Sequence, residues 1–482
     1  MNEQPTSLKQ QTKKGLYWSA LGNFANQGMR FAFGIILARL LSPDAYGVIG
    51  MLSIFMCIVS TFIDCGFSQA LISKQNRTQA DFSTEFWFNI GVGIAGYFIL
   101  FLSSPLIADF YNMPILSPIL KVIGLGIVIN SLCVVQSAQF AIQLDFKTPA
   151  KISVFTQMVS GIVGIALAYC GWGVWALVFQ QVGSSLFNAI LLWILAGWRP
   201  TMEFSKDSFR YLWGYGSKIL ASSLIQQVYD NIYPLVIGKF FNARTLGLYS
   251  RAQGFAILPS SNISGILGGV TFPILCKIND DNERLIRIYR QMIKTSAFIV
   301  FPLMLGMLAV ADPLVKVLLN EQWYECILIL QLLCCALIWQ PISSIHLSIL
   351  KVMGRTDIIL KLEIIKRIAG IISILCSVPF GIVSMCIGYI LLYFFCFILN
   401  TVYIGKITDV SFKSYTQDIL PPLVAAITMC IIVVSMISFI TSNILSLVVG
   451  VILGMLCYYI FSRLFLEEQL KSALLLIKNK SI

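Results

Sequence analysis

An apolar run of about twenty residues recurs from one end of this chain to the other. Each run is long enough to cross a bilayer core about 30 Å thick, and about fourteen can be marked, the first at 16–38 and the last at 443–463. A backbone inside hydrocarbon has no water to bond, so runs of this length must be helices. Composition agrees, with 57% of residues hydrophobic, 12% charged and a mean hydropathy of +0.83. A soluble chain carries about one quarter charged residues. The expected fold class is therefore an all-α polytopic membrane protein of about fourteen transmembrane helices.

The net charge of +12 would fit a nucleic-acid binder, but its distribution fits a membrane better. Most cations fall between alternate apolar runs, at Lys74, Arg77, Lys147, Lys151, Arg199, Lys206, Arg210, the segments 277–294 and 351–367, and the tail. That is the positive-inside bias, and it places both termini on the cytoplasmic side. The start MNEQPTSLKQQTKKGLYW is polar and then basic, with no small-residue cleavage site after the first run. That run is expected to stay as a transmembrane helix rather than leave as a signal peptide. Most of the thirteen cysteines sit inside apolar runs, no CxxC pair occurs, and a single histidine cannot complete a Cys/His zinc set. No metal and no cofactor is expected.

An internal repeat organises the chain. The stretch LARLLSPDAYG (37–47) returns as IGKFFNARTLG (237–247), displaced by 200 positions, with Gly47 and Gly247 identical. Each copy reads as a basic helix end, a bulky pair, an N-cap (Ser42, Asn242) and a glycine opening the next helix, with Pro43 at a first helical position. The same offset joins two polar stripes: Asn23, Asn26, Gln27 and Arg30 on one helix face, and Ser223, Gln226, Gln227 and Asp230 on another. Weaker echoes link 104–111 with 312–319 and 120–131 with 330–341. The expected organisation is an N-terminal six-helix lobe at 1–205, a C-terminal six-helix lobe at 206–404, and two extra helices with a cytoplasmic tail at 405–482. With an even number of spans per lobe, the repeats are parallel, a design in which one lobe rocks against the other about a midplane site.

No loop is long enough to fold separately, and no Gly-rich phosphate loop, nucleophile elbow or paired-carboxylate motif appears. The chain is not expected to be an enzyme, and function is sought between the helices. Arg30 and Asp230 fall deep within their runs, where charge is costly and usually faces a water-filled cavity. In one reading Asn26, Gln27, Gln226 and Gln227 bind sugar hydroxyls, Arg30 holds a phosphate oxygen, and Asp230 pairs with Arg30 when no substrate is present. In the other, these side chains join helix to helix. Lys366 and Arg367 offer a basic inner mouth, or a simple salt bridge with Glu363. His346, alone in an apolar helix, reads as a hydrogen-bonded interior residue or as a proton-coupling group.

The stretches KKGLYWSALGNFANQGMRF, LARLLSPDAYGVIGM, DCGFSQALISKQNRTQADFSTEFWFNIG and FAIQLDFK together resemble the polysaccharide flippases of the multidrug/oligosaccharidyl-lipid/polysaccharide exporter superfamily. Within it they resemble the colanic- and teichuronic-acid exporter branch of O-antigen translocases. The resemblance covers roughly the first 400 residues and is weaker after Lys406. It implies two V-packed bundles whose first and seventh helices line a central cavity. The implied substrate is an undecaprenyl-pyrophosphate-linked oligosaccharide moved across a bacterial inner membrane by alternating access. The implied partners are that lipid-linked oligosaccharide, membrane lipids, and the polysaccharide polymerase and chain-length machinery; no nucleic acid is implied, and the chain would work as a monomer. The superfamily's peptidoglycan-precursor flippase has an arginine-rich cavity, whereas Arg30 is the one arginine placed in the cavity here. The rival readings are a multidrug/cation antiporter of the same superfamily, a membrane-embedded polymerase or acyltransferase, and a scaffold subunit without transport.

Overall fold

The computed structural model describes residues 8–470 apart from positions 65, 279, 409 and 468, without the side chains of 8–14, 16, 17, 266–271, 273 and 274. The tail beyond 470 and the side chains of Lys9, Lys13 and Lys14, expected on the inner side, lie outside the described residues. Among the described residues every regular element is helical. The first helices are α1 (Leu8–Leu40), α2 (Pro43–Asp64), α3 (Phe67–Ser73) and α4 (Gln79–Tyr111). A broken path of α5 (Leu116–Ile123), α6 (Leu125–Ser131) and α7 (Val134–Ile142) leads to α8 (Lys147–Tyr169) and α9 (Val174–Leu195). Then come α10 (Lys206–Asp230), α11 (Ile232–Phe240), α12 (Ala243–Lys277), α13 (Asn282–Ala309) and α14 (Ala311–Leu318). The chain ends with α15 (Cys326–Leu337), α16 (Gln340–Val352), α17 (Thr356–Ser377), α18 (Ile382–Thr408), α19 (Phe412–Ile437) and α20 (Asn443–Phe465).

Among the described residues ten helical segments are long and apolar enough to cross a membrane: α2–α3, α4, α5–α7, α8, α9, α13, α15–α16, α18, α19 and α20. The protein is a multi-pass membrane protein. Four more helices, α1, α10, α12 and α17, run for 33, 25, 35 and 22 residues. At about 1.5 Å per residue each of them also exceeds 30 Å.

Helix boundaries follow local chemistry. Thr78 and Asp81 form a reciprocal capping box at the start of α4, and Asn112 ends that helix in a left-handed conformation. Asp281 caps α13 by accepting from the Arg284 N–H at 3.0 Å. Pro43 opens α2 directly after Ser42, and the Asn242 side chain accepts from the Thr245 N–H at 2.8 Å to start α12.

The chain divides into two compact units, Met1–Gly247 and Leu248–Ile482. In the first, α1 lies along α8. A Cβ on Gly22 would come within 2.6 Å of the Ala150 Cβ, so the two backbones run close together. Helix α10 joins this unit by resting on α2, α3 and α4. Its buried residues are Ser208, Leu212, Gly216 and Leu220, one every fourth position. Around that seam Phe67 stacks on Phe88 at 4.6 Å and Phe209 on Trp213 at 5.9 Å, around buried Ala70 and Leu71. In the second unit α13 lies against α19, and the Tyr458 hydroxyl of α20 donates to the Phe298 carbonyl at 2.8 Å.

The two repeat-marking glycines meet. A Cβ on Gly47 would collide with the carbonyl of Ala243, and a Cβ on Gly247 with the carbonyl of Pro43. The two contacts exchange when each residue is shifted by 200, so the crossing of α2 with the start of α12 is reciprocal. Only a residue without Cβ permits that approach. Gly247→Ala is expected to cost about 1–3 kcal/mol through overpacking against backbone. It should lower the melting temperature of the purified protein by several degrees. Gly254→Ala, where an added Cβ meets nothing within 4 Å, should leave it unchanged or higher. Equal melting of G247A and the parent would refute the close crossing.

Candidate functional site

The polar stripe of α1 divides between two environments. Asn26 is half-buried and its Nδ2 donates to Ser153 Oγ of α8, while its Oδ1 is buried without a partner. That is a helix-to-helix contact inside the first unit. Gln27, next to it, is also half-buried, whereas Asn23 and Arg30 are exposed. Arg30 makes no ion pair among the described residues.

On α10, Gln226 and Asp230 are exposed and Gln227 is half-buried. The Gln226 Nε2 donates to both Asp230 oxygens, at 2.7 and 2.9 Å. Spacing of four on a helix brings the amide over the carboxylate. Asp230 is thus held by its own helix rather than by Arg30. Because α10 buries only its one-in-four seam, its remaining faces are largely open and carry these polar groups.

Lys366 and Arg367 share one acid: Glu363 lies 3.2 Å from Lys366 Nζ and 3.7 Å from Arg367. The salt-bridge alternative is therefore present at this end of α17. His346 is fully buried, with Nδ1 2.7 Å from the Tyr289 hydroxyl and Nε2 3.3 Å from Thr401 Oγ1. It is a hydrogen-bonded interior residue. Among the described residues no group of three or more His, Cys, Asp or Glu is placed to hold a metal.

The structure adds a polar network that the sequence reading passed over. The Tyr415 hydroxyl donates to Tyr289 at 3.1 Å, which extends the His346 chain from α16 through α13 to α19. One turn along α19, Asp418 is 2% exposed and receives Arg290 in a bidentate pair at 2.8 and 2.9 Å, with Lys294 at 3.2 Å. Asp418 stands just before the apolar run ILPPLVAAI, and that isolated acid was the available signal. The network fixes α19 to α13 by specific bonds.

Comparison with known proteins now identifies the chain. The family described as "Polysaccharide biosynthesis protein" matches residues 36–328. The chain belongs to this family. It is similar to the lipopolysaccharide biosynthesis protein WzxC of Escherichia coli (strain K12), 26% identical over 423 residues, covering 86% of this chain and 84% of that protein. It is also similar to the teichuronic acid biosynthesis protein TuaB of Bacillus subtilis (strain 168), 25% identical with 97% and 98% covered. Among solved structures, the fold is similar to the lipid II flippase MurJ in an inward closed conformation. The TM-score is 0.77 at 15% identity, with 94% of this chain and 99% of that chain covered. An inward-facing multidrug resistance MATE transporter gives a TM-score of 0.62 at 14% identity, with 82% and 96% covered. The polysaccharide biosynthesis family thus shares its fold with both kinds of transporter.

Arg290→Ala leaves buried Asp418 to Lys294 alone, which is expected to cost about 3 kcal/mol. Thermal melting of the purified variant should fall accordingly, and Arg290→Lys should recover only part of the loss. Melting of R290A at the parent temperature would show that the pair does not hold α19.

Proposed function

We propose that this protein is a flippase that carries lipid-linked oligosaccharide repeat units across the bacterial inner membrane by alternating access. In this reading the oligosaccharide hangs from undecaprenyl pyrophosphate and serves surface polysaccharide assembly. The observation that carries the proposal is the placing of polar side chains on the open faces of α1 and α10. Arg30, Gln226 and Asp230 are exposed on helices long enough to span a membrane, and such groups are costly unless they face a water-filled cavity. Family membership and the relatives' names, lipopolysaccharide and teichuronic acid biosynthesis proteins, support the choice of cargo.

The proposed architecture has fourteen spans, with α1, α10–α11, α12 and α17 completing the ten apolar ones. The lobes at 1–205 and 206–404 are parallel repeats, followed by the pair α19 and α20. The reciprocal contact of Gly47 with Ala243 and Gly247 with Pro43 supports this, since a twofold axis passing between α2 and α12 produces such an exchange. Both termini are proposed to be cytoplasmic, by the positive-inside bias.

In the mechanism, Arg30 engages a pyrophosphate oxygen by a charge-assisted bond. Gln27, Gln226 and Gln227 offer donors and acceptors to sugar hydroxyls. Asp230 orients the Gln226 amide by accepting from its Nε2 at 2.7 and 2.9 Å. Asn26, bonded to Ser153, shapes the wall of the cavity beside them. Lys366 and Arg367, shared with Glu363, form a basic entrance on the inner side. No bond is made or broken, so the protein acts as a transporter with no cofactor of its own, delivering to the polymerase and chain-length machinery and working as a monomer.

Arg30→Ala is expected to abolish surface polysaccharide while membrane levels of the protein stay normal, with Arg30→Lys retaining part of the export. Loss of the gene should leave the lipid-linked repeat unit on the inner leaflet, identified by mass spectrometry of extracted lipid. Unchanged surface polysaccharide in R30A would overturn the assignment of Arg30. Failure of any lipid-linked glycan to accumulate on deletion would overturn the cargo.

A further inference from the structure

The first turns of α4 bury an unusual number of polar side chains: Asp81, Ser83, Thr84, Glu85 and Asn89 are each 0–1% exposed. Most are answered by their surroundings. Asp81 pairs with Lys74 at 2.6 Å and closes the capping box. Ser83 lies 2.9 Å from Thr201 Oγ1, and Thr84 accepts from the Ser205 N–H at 3.0 Å, both in the segment that links α9 to α10. Glu85 and Asn89 are not answered in this way. One Glu85 oxygen accepts from Ser68 Oγ of α3 at 2.7 Å, but Oε2 is buried without a hydrogen bond. Both polar atoms of Asn89 are likewise buried and unbonded.

A third such side chain comes from the facing helix. The path α5–α7 runs antiparallel to α4: Ser117 meets Ser104 at 3.1 Å, a Cβ on Gly124 would meet Tyr97 at 3.1 Å, and one on Gly93 would meet Ser131 Oγ at 2.6 Å. Val135 of α7 packs in the same cluster as Phe86. That register brings Gln136 to the level of Glu85 and Asn89. Gln136 is 0% exposed, and both atoms of its amide are also buried without a partner. Helix α3, which carries Ser68, packs against both α4 and α7.

Buried polar groups in proteins are bonded with few exceptions, and each exception calls for a cause. Here five unbonded atoms on three fully buried side chains fall at one level of the α4–α7 register, and one belongs to a carboxylate. Water can satisfy amides, yet it cannot neutralise a carboxylate held away from solvent. Nor does a protein cation do so: Lys74 is committed to Asp81, and Glu85 makes no ion pair among the described residues. The oxygen donors at the junction are a carboxylate, two amide carbonyls and a hydroxyl, the hard ligands that suit alkali and alkaline-earth ions. A single carboxylate is neutralised by one positive charge, whereas a divalent ion would leave a net charge in a low-dielectric site.

We propose that Glu85, Asn89, Gln136 and Ser68 form a buried binding site for a monovalent cation of sodium's size. Glu85 Oε2, Asn89 Oδ1 and Gln136 Oε1 supply the charge and two carbonyl ligands, and Ser68 orients the carboxylate. The amide N–H groups donate to water that accompanies the ion. Binding ties α3, α4 and α7 together inside the first unit.

The test is thermal melting of the purified full chain in lipid nanodiscs, titrated with sodium chloride against choline chloride at fixed ionic strength and at pH 8.5. The wild type should show a saturable rise in melting temperature with sodium, together with saturable uptake of radioactive sodium near one ion per chain. Glu85→Gln, which keeps the shape and removes the charge, should lose both. Asn89→Asp, with two carboxylates at the junction, should respond to calcium in place of sodium, which covers the case in which E85Q does not fold. Identical wild-type melting in sodium and choline would overturn the site and leave Glu85 neutralised by a proton. A sodium response that survives in E85Q or is unchanged in N89D would overturn the assignment of these residues. The readout is binding rather than export, so it stands or falls separately from the role of Arg30.

Discussion

The reciprocal crossing of α2 with the start of α12 is the closest backbone approach at any described glycine. At Gly47 and Gly247 each helix presses a glycine against the other's backbone carbonyl, so no side chain intervenes. Between membrane helices there is little hydrophobic driving force, and close packing of small residues takes its place. The crossing needs glycine at the one position where LARLLSPDAYG and IGKFFNARTLG are identical. The crossing point admits no Cβ from either side.

Away from that crossing, the architecture is governed by the cost of burying polar groups. Three solutions coexist. The His346, Tyr289, Tyr415 and Thr401 chain satisfies hydroxyls and imidazole with one another, and the Arg290–Asp418–Lys294 cluster satisfies a buried acid with two cations. The linker at 196–205 threads along the start of α4 and answers Ser83 and Thr84. Glu85, Asn89 and Gln136 have none of these solutions, which sets Glu85 and Asn89 apart from the neighbouring Asp81, Ser83 and Thr84 of α4. By contrast Gln226 and Asp230 sit on open faces of α10 and bond to each other.

Much of the fold was legible because hydropathy is a property of contiguous residues. Helix α20 (Asn443–Phe465) matches the last apolar run, 443–463, closely, and Pro43 and Asn242 mark starts of helices as their chemistry requires. The polar stripes on α1 and α10 were visible from spacing alone. What each stripe residue touches was not. Asn26 and Arg30 are one turn apart on α1, yet one is bonded to Ser153 of α8 and the other is exposed. Asp418 and Glu85 were both present as isolated acids beside apolar residues, and nothing local distinguished them from acids at a helix end facing water.

The sequence by itself determined that this chain is helical and crosses a membrane several times, because a run of apolar residues in a bilayer has one way to satisfy its backbone. It also marked Gly47 and Gly247 as equivalent positions and Arg30, Gln226 and Asp230 as polar groups out of place. Only the tertiary structure decided which polar groups find partners on other helices: Asn26 with Ser153, Asp418 with Arg290 and Lys294, and Glu85 with Ser68 on one oxygen alone. Arg290 lies 128 positions from Asp418, and Ser153 lies 127 from Asn26. A hydrogen bond or ion pair between helices depends on distances of a few ångströms, and such distances are set by packing rather than by the order of residues.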